Sequence, residues 1–214
     1  MHSNNLIVPG YFEIYCGPMK SGKTKMLMDR VEKLNYMNNC NFIFINPSAN
    51  TRDEKIRSRC FSKDYDCIII DKNRPADILN QVNKDTDLVA IEEAQFFEDN
   101  IGRVVEELIR QEKNVIAAGL DLNFRGEPFH PMPYLLSIAD EINKLTAVCD
   151  YEGCSSLATR TQKLIKGIPA HYDSEEEYIG GSNSDLSYQA RCIKHHIVPG
   201  KIHDSSFSRK PQDL

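Results

Sequence analysis

A glycine-containing stretch near the start of the sequence constrains this chain more than any other feature. Residues 17–24, Gly-Pro-Met-Lys-Ser-Gly-Lys-Thr, match the pattern G-x-x-x-x-G-K-[ST]. In such a loop, glycines let backbone N–H groups converge on phosphate oxygens, the lysine neutralises the β- and γ-phosphates, and the last hydroxyl binds magnesium. The loop follows an apolar run and opens a helical pattern, as this chemistry requires. We therefore predict a nucleotide site formed by Gly17, Pro18, Met19, Lys20, Ser21, Gly22, Lys23 and Thr24.

Short apolar runs alternate with helical patterns as far as Val148. The runs do not alternate apolar with polar residues, which is typical of strands covered on both faces. The expected strands are Tyr11–Cys16, Phe42–Asn46, Cys67–Ile70, Leu88–Ile91, Val115–Ala118 and Leu145–Val148. The expected helices are 23–38, 75–83 and a stretch with apolar residues at 101, 104, 105, 108 and 109. This order predicts an α/β fold with a mostly parallel, doubly wound sheet and ligand sites at the carboxyl ends of its strands.

Two adjacent acids end one of the predicted strands. Leu88–Ile91 is followed by Glu92-Glu93-Ala94-Gln95. In a protein with a phosphate loop, the acid at such a strand end helps to hold Mg²⁺, and a second acid can act as general base. Adjacent strand residues point to opposite faces, so one acid can face the metal and the other the acceptor hydroxyl.

Three of the seven cysteines cluster after residue 148, in a region where strand-like runs become scarce. Four residues separate Cys149 from Cys154, and two residues separate Cys192 from His195. These spacings suit a structural zinc with thiolate and imidazole ligands. His196 competes with His195 for the fourth position, and the spacing favours His195. A small, loop-rich unit at 149–198 needs such a metal because it has few apolar residues.

Composition and charge exclude several classes of protein. The chain has 214 residues, of which 41% are hydrophobic and 27% charged, as in ordinary globular proteins. The net charge of −5 argues against a protein that coats nucleic acid or anionic membrane. No apolar run approaches a membrane span, and the first nine residues do not form a signal peptide. We expect a cytoplasmic protein without disulfides.

Four segments together resemble the thymidine kinase family of the cellular and bacterial type, over about residues 10–198. They are the phosphate loop at 17–24, Glu92-Glu93-Ala94-Gln95-Phe96-Phe97, the segment Gly-Leu-Asp-Leu-Asn-Phe-Arg-Gly-Glu-Pro-Phe at 119–129, and the cysteine-rich region. The resemblance implies a RecA-like core with a small zinc-binding lasso domain. It also implies transfer of the γ-phosphoryl group of ATP to the 5′-hydroxyl of thymidine, in salvage for DNA synthesis, by a homotetramer that uses Mg²⁺.

The resemblance also implies roles for individual residues. Glu93 takes the position of the catalytic base, while Glu92 and Gln95 belong to the nucleotide site. Glu92 stands where the family usually has Asp, and Asn123 stands where many members have Asp. The implied contacts of the thymidine are Met19, Arg52, Phe124, Thr161, Ile179, Gly180, Gly181 and Tyr188.

Further matches concern the segments around these contacts. Ser58 and Arg59 accompany Arg52 in a basic stretch, and Lys163 replaces the usual Arg of the segment that contains Thr161. The expected domains are a kinase core at 1–148 and a zinc-binding lasso domain at 149–198, followed by a disordered tail at 199–214.

Two rival functions remain open from the sequence. One is a kinase with a phosphate loop that acts on another deoxynucleoside. The other is a zinc ribbon that binds nucleic acid, although residues 149–214 contain eight Lys or Arg against nine Asp or Glu. That balance is poor for binding a phosphate backbone.

Overall fold

A six-stranded parallel sheet forms the centre of the molecule. The structure is a computed structural model that describes residues 8–38, 40–48, 55–56, 65–176 and 185–202. Its strands are β1 (Phe12–Cys16), β2 (Phe42–Pro47), β5 (Ile68–Ile70), β6 (Leu88–Ile91), β7 (Asn114–Gly119) and β8 (Glu141–Lys144). The sheet order is β5-β2-β6-β7-β1-β8, and each neighbouring pair is parallel. The predicted α/β fold with a doubly wound parallel sheet is therefore confirmed.

Helices cover both faces of the sheet. The α-helices are α1 (Lys23–Asn38), α2 (Ile101–Arg110) and α3 (Met132–Ile138), and short 3₁₀ helices span Pro75–Gln81 and Ala94–Phe96. On one face, Leu27, Met28 and Val31 of α1 pack on Tyr15 and Phe44. On the other face, residues of α2 and α3 pack on Ile14, Val89 and Val115. The helix predicted at 75–83 is thus a 3₁₀ helix, and the sequence did not predict α3.

The last predicted strand of the sheet was wrong in position. The structure places the sixth strand at Glu141–Lys144, where three of the four residues are exposed. An edge strand has one neighbour and a solvated side, so it does not need the apolar run that marks a central strand. Leu145 lies just beyond this strand and donates its N–H to the Cys16 carbonyl, at 2.7 Å, while Ala147–Val148 belongs to a separate ribbon.

The region after residue 146 contains more strands than the sequence indicated. An antiparallel ribbon pairs β9 (Ala147–Val148) with β10 (Leu157–Ala158). Strands β11 (Arg160–Ile165), β12 (Ile168–Pro169) and β13 (Leu186–Arg191) form a three-stranded antiparallel sheet in the order β12-β11-β13. Earlier in the chain, β3 (Lys55–Ile56) and β4 (Tyr65–Asp66) form another short antiparallel ribbon. Thr161, Gln162 and Lys163 are buried in β11. Buried positions with polar residues hide the strand pattern on which sequence reasoning depends.

Within the described residues, no helix has both the length and the apolar character to cross a membrane.

Candidate active site and metal cluster

Three adjacent strands of the central sheet bring the predicted site together. The phosphate loop at 17–24 follows β1, Glu92 and Glu93 follow β6, and residues 120–129 follow β7, which lies between β6 and β1. The carboxyl ends of parallel strands meet at one edge of the sheet. All three segments therefore converge at the place where this fold binds ligands.

Two glycines shape the phosphate loop. Gly17 has φ of 140°, and a Cβ there would lie 2.3 Å from the Leu145 carbonyl oxygen. Gly22 has φ of 86°, but a Cβ there would meet nothing within 4 Å. Gly17 is thus required by close packing, whereas Gly22 faces open space with a backbone conformation that favours glycine.

The other side chains of the loop differ in their contacts. Lys23 is buried and its Nζ donates to the Pro18 carbonyl, at 2.8 Å. Within the described residues, the buried Ser21 Oγ has no hydrogen-bond partner. Lys20, by contrast, has φ of 62°, and its Nζ lies 2.7 Å from Asp150 Oδ2. The loop therefore keeps Lys23 at its centre, while the side chain of Lys20 is used elsewhere.

A short hydrogen bond joins the phosphate loop to the acidic strand end. Thr24 Oγ1 donates to Glu92 Oε1 at 2.6 Å. Glu92 is buried, and its Oε2 has no hydrogen-bond partner among the described residues. Burial, followed by the neighbouring Glu93 carboxylate, raises the pKa of Glu92 to about 8, against partial offsets from Thr24 and Lys23. A buried carboxylate oxygen without a partner, beside a loop hydroxyl, fits the ligand set that Mg²⁺ prefers.

Glu93 is held in an unusual backbone conformation by its surroundings. Its φ of 48° and ψ of 42° lie in the left-handed region, which non-glycine residues rarely adopt. Gln95 Nε2 donates to Glu93 Oε2 at 2.6 Å, and Gln95 Oε1 accepts the N–H of Leu120 at 3.0 Å. Gln95 is 1% exposed, so it connects the end of β6 to the segment after β7 from within the core.

Gly119 provides the space that Gln95 occupies. A Cβ at Gly119 would lie 2.8 Å from Gln95 Oε1 and 2.9 Å from Met132 Sδ. These distances are shorter than real Cβ contacts allow. The glycine that ends β7 thus permits the hydrogen bond between Gln95 and Glu93.

The structure describes four of the predicted thymidine contacts: Met19 is hydrogen-bonded to Thr161, while Phe124 and Tyr188 both lie next to Lys163. The N–H of Met19 donates to Thr161 Oγ1 at 3.0 Å, which joins the phosphate loop to β11. The Phe124 ring lies 4.7 Å from Arg125 Cζ and 5.3 Å from Lys163 Nζ. The fourth described contact, Tyr188, is paired with Lys163 across β11 and β13. The remaining predicted residues, which lie outside the described residues, are Arg52, Ser58, Arg59, Ile179, Gly180 and Gly181.

A cavity of about 460 Å³ opens beside Gln95. Its walls include Asn123, Arg125 and Glu176, together with the edge-to-face pair Phe96 and Phe129, whose ring centroids are 5.8 Å apart. Of the residues to which the sequence assigned a catalytic, nucleotide, thymidine or metal contact, Gln95 is the one among the described residues that lines it.

The ligand atoms of the predicted zinc site lie close together. Sulfur or nitrogen atoms of Cys149, Cys154, Cys192 and His195 are all within 4.8 Å of one another. His195 Nδ1 lies 3.4 Å from Cys192 Sγ and 3.7 Å from Cys149 Sγ. Three thiols and one imidazole at this separation fit a tetrahedral zinc site.

His195 is held in this cluster, and His196 is used elsewhere. The ring of Tyr151 stacks on that of His195, with centroids 4.0 Å apart. The Nε2 of His196 lies 2.8 Å from the Phe124 carbonyl oxygen and donates to it. The two adjacent histidines therefore have different partners, and only His195 is near the thiols.

Sequence reasoning missed the contacts of two acidic residues at the site, Asp150 and Asp121. Asp150, which follows a cysteine of the cluster, accepts both the Lys20 ammonium and the N–H of Ala190, each at 2.7 Å. Asp121 Oδ2 lies 2.9 Å from Lys144 Nζ, and its position two residues after a strand could have marked it as a site residue. The Asp150 contact depends on residues far apart in the chain, so no local pattern reveals it.

The fold and site define a nucleotide-binding protein with a phosphate loop on a parallel sheet. The thymidine kinase family model matches residues 10–196 of the chain. The chain is also 42% identical over 192 residues to a thymidine kinase of Coprothermobacter proteolyticus, an alignment that covers 90% of this chain and 93% of that protein. The chain belongs to the thymidine kinase family. The resemblance noted in the sequence is confirmed, and the chain is a kinase.

A solved structure of low similarity was also found. Domain III of the replication initiation protein DnaA from Thermotoga maritima has a TM-score of 0.39 and 15% identity with this chain. The alignment covers 64% of this chain, which spans 56% of that structure's length. This similarity supports no statement about function.

Proposed function

We propose that this thymidine kinase transfers the γ-phosphoryl group of ATP to the 5′-hydroxyl of thymidine through Glu93, Lys23, Thr24 and Glu92. The 2.6 Å hydrogen bond from Thr24 to Glu92 carries the proposal, because it joins the phosphate loop to the acidic strand end. Phosphoryl transfer needs positioning and charge stabilisation more than covalent chemistry. Both are available where β1, β7 and β6 end.

The nucleotide lies with its phosphates along the loop in this proposal. Lys23 is desolvated, which lowers its pKa, while the carboxylates of Glu93 and Glu92 favour its charged form. A γ-phosphate at this position would form an ion pair with the Lys23 ammonium group and accept hydrogen bonds from backbone N–H groups of the loop. When bound, Mg²⁺ neutralises charge that develops on the phosphates. Thr24 and Glu92 are the residues that hold it.

Glu93 accepts the proton of the 5′-hydroxyl in this proposal. Gln95 fixes one oxygen of the carboxylate, so the other oxygen remains for the acceptor. The side chain of Glu93 is half-buried, so a bound substrate can contact its carboxylate. A positioned general base contributes typically ~10²–10⁴-fold to the rate.

The nucleoside lies between the phosphate loop and the zinc-binding second unit of the chain, at 149–198. Met19, Phe124 and Thr161 form the wall for the base, and Tyr188 and Arg52 complete the set with the stretch at 179–181. Zinc on Cys149, Cys154, Cys192 and His195 supports the unit that carries Thr161 and Tyr188. We further propose the domain division at 148, a homotetramer and a cytoplasmic location; the last two rest on the family resemblance and the sequence alone.

A panel of nucleosides with ATP and Mg²⁺ tests this function. We expect thymidine to be the best acceptor, deoxyuridine a weaker one, and deoxycytidine and purine deoxynucleosides nearly inactive. A contact with the 5-methyl group is worth only ~1–3 kcal/mol, whereas unpaired polar groups around a wrong base discriminate more strongly. If deoxycytidine or deoxyadenosine is phosphorylated faster than thymidine, the chain acts on another deoxynucleoside.

A further inference from the structure

The turn that carries Phe124 is organised by a single side chain. Asn123 Oδ1 accepts the N–H groups of Arg125 at 3.0 Å and of Glu127 at 3.1 Å. The backbone closes the same turn, because the N–H of Asn123 donates to the Glu127 carbonyl at 2.9 Å. The side-chain oxygen of Asn123 is therefore fully used within its own turn, and only its NH₂ group remains for another partner.

That NH₂ group donates to a carboxylate 53 residues away in the chain. Asn123 Nδ2 hydrogen-bonds Glu176 Oε1, and Arg125 Nη1 lies 3.5 Å from Glu176 Oε2. Asn123 is only 5% exposed, so this contact is shielded from water on one side. A hydrogen bond to a charged acceptor contributes more than a hydrogen bond between two neutral groups.

The segment 172–176 is attached to the same turn through its backbone. Arg125 Nε donates to the Tyr172 carbonyl at 2.7 Å, and Arg125 Nη2 donates to the Ser174 carbonyl at 2.8 Å. Lys163 Nζ donates to the Glu175 carbonyl at 2.6 Å. Arg125 and Lys163 also contact the Phe124 ring, so the segment and the ring share the same two cations.

The amide at position 123 is matched to the acid at position 176. An aspartate at 123 could keep the oxygen that caps the turn, but it would replace the NH₂ donor with a carboxylate oxygen that faces Glu176. Two adjacent carboxylates repel each other, and one must move away or take up a proton. The amide of Asn123 therefore suits the carboxylate of Glu176, because its oxygen caps the turn while its NH₂ group donates to the acid.

We propose that Asn123 and Glu176 are a positioning pair that fixes the segment 172–176 against Phe124 and thereby sets the affinity for the acceptor nucleoside. The inference rests on the proposed function, in which Phe124 forms the wall for the base. Neither residue takes part in the phosphoryl transfer, so the pair acts on nucleoside binding and not on the chemical step. The loss of the contact should then raise KM for thymidine and leave kcat and KM for ATP nearly unchanged.

A rescue by exchange of the two groups tests the pair. Asn123→Asp should raise KM for thymidine about tenfold, since ~1.4 kcal/mol corresponds to a factor of ten and the lost contact is of this order. The double variant Asn123→Asp with Glu176→Gln restores an amide facing a carboxylate, and its KM should return to within about threefold of wild type. Glu175→Gln is the control for charge, because the exposed Glu175 contributes its backbone carbonyl to the anchor.

Hydrogen exchange at the amides of 172–176 provides a readout that needs no activity. Exchange should become faster in Asn123→Asp and return toward wild type in the double variant. A double variant whose KM and exchange both stay as in Asn123→Asp would overturn the pairing, as would an Asn123→Asp variant with the wild-type KM. If the wild-type chain does not phosphorylate thymidine but exchange follows the predicted order, the pair stands and the proposed function fails.

Discussion

Replacement of Gln95 by leucine should weaken both the fold and the base. Gln95→Leu keeps a similar volume in the core but removes the donor to Glu93 Oε2 and the acceptor of the Leu120 N–H. Both bonds are made by a side chain that is 1% exposed, so water cannot replace the amide without rearrangement of the core.

The structure gives the size of the effect on stability. A buried N–H group that loses its acceptor costs about 1–3 kcal/mol. The bond to Glu93 adds less than a fully buried charged bond, about 1 kcal/mol, because that carboxylate is half-exposed and water can solvate it. We therefore expect Gln95→Leu to lower the free energy of unfolding by about 2–4 kcal/mol, as measured by urea denaturation followed by circular dichroism.

The kinetic effect separates the role of Gln95 in positioning from its role in stability. A base that is free to rotate should lower kcat about tenfold or more, while KM for ATP changes less than about twofold. Gln95→Glu is the matched control, because its carboxylate still accepts the Leu120 N–H but places a negative charge beside Glu93. This variant should lose less stability than Gln95→Leu, and the acid limb of its rate profile should move to higher pH.

If the free energy of unfolding of Gln95→Leu lies within about 0.5 kcal/mol of the wild-type value and its kcat is unchanged, the two hydrogen bonds of Gln95 contribute neither to stability nor to the orientation of Glu93.

Three further predictions concern charge, metal and backbone. The folded-state pKa of Glu92, about 8, lies above its reference value of 4.5, so the contribution of Glu92 to the free energy of unfolding, measured without added Mg²⁺, should be largest below about pH 4.5 and fall toward pH 8. The decrease is at most ~1.4 kcal/mol per pH unit. If Glu92 causes it, a Glu92→Gln variant should lose this pH dependence, and an unchanged dependence in the variant would contradict the assignment to Glu92. Cys192→Ser should lose one zinc by elemental analysis and loosen the second unit while the sheet remains folded; zinc-free wild-type protein, purified without chelators, would exclude the site. Gly17→Ala should destabilise the fold more than Gly22→Ala, since only the first places a Cβ against the Leu145 carbonyl, and equal melting temperatures would contradict the close approach.

The sequence could predict the features that depend on contiguous residues. The phosphate loop is one uninterrupted motif, and the central strands β1, β6 and β7 are apolar because helices cover both of their faces. The edge strand Glu141–Lys144 was placed wrongly because one side of it is solvated and its residues are mostly polar. A rule that looks for apolar runs finds buried strands and misses exposed ones.

Contacts between distant segments could not be predicted from the sequence. Gln95 was assigned to the nucleotide site from its motif, but nothing local indicates that its amide connects Glu93 to Leu120. The hydrogen bond of Asn123 with Glu176 likewise appears only when the turn and the segment 172–176 are brought together. Side-chain partners of this kind are set by tertiary packing, which a single sequence pattern does not contain.

The kinetics of Glu93→Gln test the central claim most directly. With saturating ATP, Mg²⁺ and thymidine, kcat should fall by ~10²–10⁴-fold, because the amide cannot accept the proton of the 5′-hydroxyl. The affinity for ATP, measured by calorimetry, should stay within about twofold, since Lys23 and the phosphate loop are unchanged. A Glu93→Gln variant that keeps the wild-type kcat would show that another group takes the proton, and the account of this site would then be wrong.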